Sequence, residues 1–190
     1  MSGLNERIFR AINEWPDSFA PLTFFSIALN QVWVKVILGL LVVGMIVANT
    51  RTRTAAIQAL LSVGLANLTT DQFKHFLPMN RPYQELAGVM DRVGATNNPG
   101  TASAHTANMT AVAFVFCYQL GWWGSPWVVI AILTALSRVY VGAHYPYQVV
   151  LGCACGIVAS YLVTKGWERI QAKRSSVLVS ETPNEVPPEN

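Results

Sequence analysis

The sequence predicts an all-α integral membrane protein, a bundle of six transmembrane helices of which five are clear and the first is short. Two observations support this fold class. Apolar residues make up 52% of the 190 residues and charged residues only 12%, which leaves too little polar surface to cover a soluble helical core. The apolar residues also form blocks close in length to the ~20 residues that a helix needs to cross a ~30 Å hydrocarbon layer.

Five apolar blocks predict the clear spans, and a shorter block precedes them. Packing within a bundle and snorkelling at the ends accommodate their modest lengths, and Lys35 lies near enough to a span end to snorkel. For residues 19–30 we expect a short crossing, with a wholly interfacial segment as the alternative. The clear spans are residues 32–48, 54–73, 107–121, 126–141 and 147–164.

The two ends of the chain differ in character from the spans. Residues 1–17 alternate charged and apolar residues at helical spacing and are expected to form an amphipathic helix at the membrane interface. The N-terminal segment that leads into the block 19–30 lacks the basic start and small-residue cleavage site of a removable signal peptide, so we expect it to be part of the mature protein. Residues 18–174 are the predicted transmembrane domain. Residues 175–190, rich in Pro, Glu, Ser and Asn, are expected to be a disordered cytoplasmic tail.

Basic residues near the span ends predict the orientation of the bundle. If the clear spans alternate in direction, one side of the membrane receives Arg51, Arg53, Lys165, Arg169, Lys173 and Arg174. Short loops rich in Lys and Arg stay in the cytoplasm, so this side is predicted to be cytoplasmic. The loop 74–106 and the link around His144 then face the opposite side. The cysteines lie inside spans, at spacings that do not suggest a metal or redox site, and are expected to be packing residues: Cys117, Cys153 and Cys155.

Six polar residues flank the span ends on that opposite side: Lys74, Arg81, Ser103, His105, Arg138 and His144. Ionisable groups at membrane depth are costly, so they mark either a partner or a functional site. Ion pairing is the simpler explanation for a single member of the set, and Asp71 is placed to pair with Lys74 on the same helix. The convergence of cations, a hydroxyl and two imidazoles at one interface favours a phosphate-binding site instead.

The chemistry of this set fits phosphoryl transfer. Arginine binds phosphate oxygens two at a time and lysine acts as a point charge, while a helix that begins near Ala104 points free N–H groups at an anion. One histidine can attack phosphorus as neutral imidazole while the other protonates the leaving oxygen. This scheme needs no metal, and the spacing of His105 and His144 does not support a metal site. His75 is expected to point away from the site.

Three ordered motifs resemble the type 2 phosphatidic acid phosphatase (PAP2) superfamily of membrane lipid phosphatases. They are Lys74-x6-Arg81-Pro82, then Ser103-Ala104-His105, then Ser137-Arg138-x5-His144, within a resemblance that extends over about residues 72–156. The resemblance implies a six-helix bundle with its active site at the extracytoplasmic face and no cofactor. It also implies that His144 is the nucleophile, which forms a phosphohistidine, and that His105 is the general acid. The phosphate-binding positions that it implies are Lys74, Arg81, Ser103, Ala104 and Arg138.

The chain departs from the family pattern in two motifs. The second motif, normally Pro-Ser-Gly-His, reads Ala102-Ser103-Ala104-His105, and the third, normally His-x3-Asp, ends in Gln148. The acid would accept a proton from the far nitrogen of His144 and stabilise the charge after attack. Gln148 can accept that hydrogen bond but carries no charge, and its amide can flip. In a serine-protease triad the corresponding Asp to Asn change costs ~10⁴ in turnover. Asp71 is the acid placed best to substitute.

The predicted function is therefore metal-independent dephosphorylation of a lipid phosphate or pyrophosphate, of the phosphatidate, phosphatidylglycerol phosphate, undecaprenyl pyrophosphate or lipid A type. Gln148 is expected to weaken this activity.

The predicted location is the bacterial inner membrane, with the site facing the periplasm or exterior. Expected partners are the lipid substrate and membrane lipids, without nucleic acid; no oligomeric state is predicted. The alternatives are a lipid phosphotransferase of the same chemistry and a non-catalytic lipid-phosphate binder, which Gln148 favours. A small transporter would need polar residues in mid-span, where this chain has few.

Overall fold

The structure, a computed structural model, describes residues 3–94, 96 and 98–181. All regular secondary structure in these ranges is helical, which confirms the predicted all-α class. Two short 3-10 turns, Asp17–Phe19 and Gly121–Gly124, lie between the helices. The α-helices are α1 Gly3–Asn13, α2 Ala20–Ala28, α3 Val32–Ala48, α4 Thr50–Phe76, α5 Pro82–Glu85, α6 Ala104–Leu120, α7 Ser125–Tyr140 and α8 Pro146–Glu181.

Local sequence signals explain where the long helices begin and turn. The side chain of Asn49 accepts a hydrogen bond of 3.0 Å from the Thr52 amide and caps α4. Ser103 caps α6 in the same way. Gly121 ends α6 with a φ of 63°, a conformation that favours glycine, and so lets the chain turn back. Pro146 occupies the first turn of α8, where its missing N–H costs nothing.

Small residues form the contact between α4, α6 and α8. Ala66, Ala107, Ala111 and Ala159 cluster there with Cys155. Small side chains let membrane helices approach closely, and van der Waals packing then replaces the hydrophobic effect as the attraction between them. Large apolar side chains face outward instead, as a lipid environment allows, and examples are Val32, Leu40, Val47 and Val150, each at least 66% exposed.

Two apolar stretches of the described chain, Ala104–Tyr140 and Pro146–Val177, are long enough to cross a membrane, and the pair Asp17–Ala28 and Val32–Ala48, bent by 68°, is a third candidate. The first stretch folds back on itself, because the rings of Phe116 on α6 and Trp127 on α7 lie 5.1 Å apart. These findings support an integral membrane protein. They do not confirm the predicted count of six crossings.

The long helices run between two chemically different ends of the bundle. At one end Arg51 donates to the backbone oxygen of Gln119 at 2.6 Å, and Lys165 donates to the Tyr118 hydroxyl at 3.1 Å. The opposite end gathers the last turn of α4, the first turn of α6, the last turn of α7 and the loop that precedes α8. The basic residues and the predicted site residues therefore lie at opposite ends.

The N-terminal segments pack against the site end of the bundle. Phe9 of α1 is completely buried and contacts Val139 and Tyr145, so part of the apolar face of α1 binds protein. Residues 17–30 also stay at this end, because Leu22 packs against the cluster around Tyr140 and Asn30 reaches His105. The structure thus differs from the expected short crossing at residues 19–30, and its contacts favour the alternative of a segment that remains at one face.

The last helix is longer than its predicted span. α8 continues to Glu181, so the expected boundary at residue 174 falls inside a helix and residues 175–181 are helical. Of the predicted disordered tail, residues 182–190 lie outside the described residues.

Candidate active site

A cavity of about 770 Å³ opens at the end of the bundle where the predicted site residues meet. The last turns of α4 and α7, the first turn of α6 and the loops before α5 and α8 each contribute to its wall. His75 also lines it, so the expectation that His75 points away is wrong. The predicted site residues on the wall are Lys74, Arg81, Ala104, His105, Arg138 and His144.

The two ring nitrogens of His144 have different partners, and these fix its tautomer. The ring is 3% exposed, and Nδ1 lies 3.2 Å from the carbonyl oxygen of Gly100 and 3.2 Å from Oε1 of Gln148. A carbonyl and an amide oxygen can only accept, so Nδ1 carries the proton. Nε2 keeps its lone pair and lies 3.3 Å from Nη1 of Arg81, a donor. The neutral imidazole thus presents Nε2 toward the Arg81 guanidinium.

The amide of Gln148 is held in one orientation. Oε1 accepts from the backbone N–H of Tyr145 at 3.1 Å, and Nε2 donates to the carbonyl oxygen of Asn80 at 2.9 Å and to the Tyr147 hydroxyl at 3.1 Å. If the amide were flipped, its N–H would face the N–H groups of Tyr145 and His144, and its oxygen would face the carbonyl oxygen of Asn80. The side chain is completely buried, so water could not relieve these contacts. The flipped orientation of the amide is therefore disfavoured, and Gln148 supports His144 as an acceptor.

The surroundings of His144 keep its imidazole neutral. Burial first, and then the positive charges of Arg81 and Arg138, hold the pKa of His144 well below its usual value. Hydrogen bonds from the ring to Gln148 and Gly100 oppose this shift only in part. At neutral pH the ring therefore has the lone pair that a nucleophile requires.

Arg81 and Arg138 are the buried cations of the cavity wall. Arg81, 9% exposed, donates from Nε to the Asn98 oxygen at 2.8 Å and from Nη1 to the Ala143 oxygen at 3.0 Å, and burial lowers its pKa. Arg138, 6% exposed, donates from Nη1 to the Ser26 hydroxyl at 2.7 Å. Its Nε is buried and has no hydrogen-bond partner among the described residues. These neutral partners leave both positive charges available to an anion.

Lys74 and Asp71 form an ion pair at the rim of the cavity. Nζ of Lys74 lies 3.0 Å from Oδ1 of Asp71, whose side chain is 69% exposed. From the sequence, Asp71 is the acid placed best to substitute for the missing carboxylate. In the described chain the groups that contact Nδ1 of His144 are instead Gly100 and Gln148, both neutral.

Ser103 lies behind the cavity wall. It is completely buried, and its hydroxyl oxygen accepts from the amide of Thr106 at 3.4 Å and from the hydroxyl of Thr106 at 3.0 Å. Its own amide donates to the backbone oxygen of Gln148 at 3.1 Å. The structure thus shows Ser103 as the cap of α6 and as a link to α8, and its contact with phosphate stays a prediction.

Two residues of the site, Gly100 and Asn30, are not predicted by the sequence motifs. Gly100 accepts from His144, and a Cβ on it would lie 2.8 Å from Cγ of Arg81 and 2.9 Å from Nε2 of Gln148, so a side chain does not fit there. Asn98-Pro99-Gly100 is visible in the sequence as a turn, but nothing in it shows that the turn contacts the nucleophile. Asn30 was also missed, and its Oδ1 lies 2.9 Å from Nε2 of His105.

Two bacterial proteins are similar to this chain in sequence. The putative undecaprenyl-diphosphatase YbjG of Escherichia coli (strain K12) is 25% identical over 173 residues, which cover 91% of this chain and 87% of YbjG. The bacitracin transport permease protein BcrC of Bacillus licheniformis is 24% identical over 165 residues, 85% of this chain and 80% of BcrC.

Two solved structures share the fold. LpxE of Aquifex aeolicus superposes with a TM-score of 0.73 at 23% identity, covering 86% of this chain and 96% of LpxE. A PAP2 type phosphatidylglycerolphosphate phosphatase of Bacillus subtilis superposes with a TM-score of 0.65 at 21% identity, covering 88% of this chain and 86% of that one. Residues 55–171, more than half of the chain, match the PAP2 superfamily. The protein therefore belongs to the PAP2 superfamily of membrane phosphatases.

Proposed function

We propose that this protein removes phosphate from a lipid phosphate or diphosphate through a phosphohistidine on His144. The observation that supports this most directly is the tautomer of His144. Two acceptors hold its Nδ1 proton, so the lone pair of Nε2 lies beside Arg81 in a cavity that Arg138 and Lys74 also line. A neutral nucleophile among cations suits attack on an anionic phosphate ester.

The first step forms the phosphoenzyme. Nε2 of His144 attacks phosphorus as the bond from phosphorus to the leaving oxygen breaks, and the imidazolium of His105 gives its proton to that oxygen. Arg81, Arg138 and Lys74 offset the negative charge on the transferring group. The amide oxygen of Gln148 and the carbonyl of Gly100 hold the Nδ1 proton while the ring becomes positive.

The second step releases phosphate. Water attacks phosphorus, His105, now neutral, takes a proton from the water, and the bond from phosphorus to Nε2 of His144 breaks. This returns His144 to its neutral tautomer and His105 to its protonated state. The residues of this chain supply each proton transfer, so the proposed mechanism routes no step through a metal.

The relatives indicate the class of substrate. YbjG is described as a putative undecaprenyl-diphosphatase, and one structural neighbour is a phosphatidylglycerolphosphate phosphatase. We extend to this chain the feature these have in common, a phosphate carried by a membrane lipid. We place the reaction at the extracytoplasmic face of the inner membrane, because the cavity lies opposite the basic end of the bundle.

Phosphate release from a lipid panel tests this function. Protein purified in detergent with EDTA present should release phosphate from at least one of phosphatidate, phosphatidylglycerol phosphate, undecaprenyl diphosphate and lipid A. His144→Ala should abolish release because it removes the nucleophile. His75→Ala is the matched control, since His75 lines the same cavity without a part in the mechanism, and it should retain activity.

The second candidate function is a non-catalytic lipid-phosphate binder, favoured by the neutral partners of His144. Failure to release phosphate from every lipid of the panel, together with retained binding of those lipids, would replace the phosphatase with this binder. A phosphotransferase would consume the lipid phosphate yet release phosphate only in part, with the remainder found on an added alcohol acceptor.

A further inference from the structure

The corner between α2 and α3, residues 26–31, reaches the candidate active site. α2 and α3 meet there at the 68° bend, and the corner presents two polar side chains, Ser26 and Asn30, to two different site residues. Both residues precede the segment 55–171 that matches the PAP2 superfamily. The family motifs therefore do not include them.

Asn30 fixes the orientation of His105. Its Nδ2 donates to the carbonyl oxygen of Ser26 at 3.3 Å, which sets the direction of the amide, and its Oδ1 then lies 2.9 Å from Nε2 of His105. Because Oδ1 only accepts, Nε2 of His105 carries a proton. Nδ1 of His105 has no hydrogen-bond partner among the residues that the structure describes, so it remains free for the leaving oxygen of a substrate.

Ser26 restrains Arg138. The serine is completely buried, and its hydroxyl oxygen accepts from Nη1 of the 6% exposed guanidinium at 2.7 Å. This contact orients the fork of Arg138 while its buried Nε stays without a partner within the described chain. One short corner thus touches both a phosphate-binding cation and the proposed general acid.

We propose that Ser26 and Asn30 are positioning residues, through which the α2–α3 corner orients Arg138 for phosphate binding and His105 for protonation of the leaving group. This inference rests on the proposed phosphatase function. The two residues have different roles. Asn30 acts on the proton transfer through His105, and Ser26 acts on phosphate binding through Arg138.

Two substrates with different leaving groups separate these roles. The glycerol oxygen of phosphatidate leaves poorly without a proton, whereas p-nitrophenolate leaves without one. Asn30→Ala should lower kcat on phosphatidate by about tenfold or more, which is part of the rate acceleration that a general acid contributes. The same variant should change kcat on p-nitrophenyl phosphate little. Asn30→Asp keeps an acceptor oxygen and should recover most of the lost rate. Ser26→Ala should raise KM for both substrates by a similar factor.

Two controls exclude a merely structural effect. Gln31→Ala replaces the neighbouring exposed amide of the corner and should leave both rates unchanged. In a His105→Ala background, Asn30→Ala should cause no further loss of kcat on phosphatidate. The effects of two substitutions are not additive when one residue acts through the other.

The failures are distinguishable. Equal losses on both substrates for Asn30→Ala, or an additive loss with His105→Ala, would overturn the inference and leave the phosphatase function intact. A wild-type protein inactive on both substrates and on the lipid panel would overturn the proposed function, and this inference with it.

Discussion

Gln148 supplies the geometry of the family acid without its charge. Its Oε1 supports Nδ1 of His144 and accepts from Tyr145, while its Nε2 satisfies the carbonyl of Asn80. After attack the ring of His144 is positive, and a carboxylate at this position would stabilise that charge more strongly than an amide dipole does. The amide therefore completes the hydrogen-bond network around it but gives the positively charged ring of His144 less electrostatic stabilisation than a carboxylate would.

Gln148→Glu should separate these two effects. Glutamate keeps the length that places Oε1 on His144, so we expect phosphate release to rise several-fold. The same change removes the donor to Asn80, and a buried acceptor without its partner costs about 1–3 kcal/mol, so Tm should fall. Gln148→Leu should lower both activity and Tm. Full activity in Gln148→Leu would show that the amide does not support His144.

At the scale of the helices, close contact between α6 and α8 sets the shape of the site. Gly152 lies against the Ser103 carbonyl and Gly156 against the Ala107 carbonyl, where an added Cβ would approach the oxygens to 2.5 and 2.4 Å. The backbone of Ser103 also bonds directly to Gln148. Separation of the two helices would therefore move the support of His144 away from the first turn of α6.

Gly156→Ala should destabilise the bundle. The added methyl group meets backbone rather than a flexible side chain, and such overpacking costs about 1–3 kcal/mol, which thermal unfolding in detergent would register as a lower Tm. Gly166→Ala is the matched control on the same helix, since nothing lies within 4 Å of its added methyl and alanine favours helix. Equal Tm values for the two variants would contradict the close contact.

The sequence predicted the long helices better than the N-terminal ones, for a physical reason. The predicted span 32–48 coincides with α3, and each of the other clear spans lies within or overlaps one helix. An apolar block of that length typically forms a membrane-spanning helix, so its structure can be predicted from the sequence. The pattern of α1 does not distinguish a membrane surface from a protein surface. Its Phe9 is buried against Tyr145, a contact that only the folded chain creates.

For the molecule as a whole, the separation of the cavity from the basic end predicts its orientation. In a variant whose three native cysteines are replaced, Thr96→Cys at the cavity end should react with a membrane-impermeant maleimide on intact bacterial cells. Arg174→Cys, at the basic end, should react only after the cells are permeabilised. The reverse pattern would place the site in the cytoplasm and contradict the proposed location.

The site, too, was predictable only in part. Ionisable residues are costly at membrane depth and therefore mark functional sites. For this reason the charged and imidazole groups of the site could be identified from the ordered motifs. Asn30 and Ser26 are ordinary polar residues whose partners lie 75 and 112 positions along the chain, so no local pattern reveals them. Ser103 has a structural role that its motif does not indicate, the cap of α6, while the phosphate contact that the motif suggests stays a prediction.

The neutral acceptors on Nδ1 of His144 also bear on the lifetime of the intermediate. On the proposed pathway, the phosphorylated ring carries a positive charge, and in the described structure its Nδ1 contacts the neutral dipoles of Gln148 and Gly100 rather than a carboxylate. Weak stabilisation raises the energy of this species, which slows its formation and makes the imidazole a better leaving group for water. The phosphoenzyme should then be short-lived and scarce in the steady state. Slow turnover in this protein would thus reflect infrequent entry into the intermediate rather than slow escape from it.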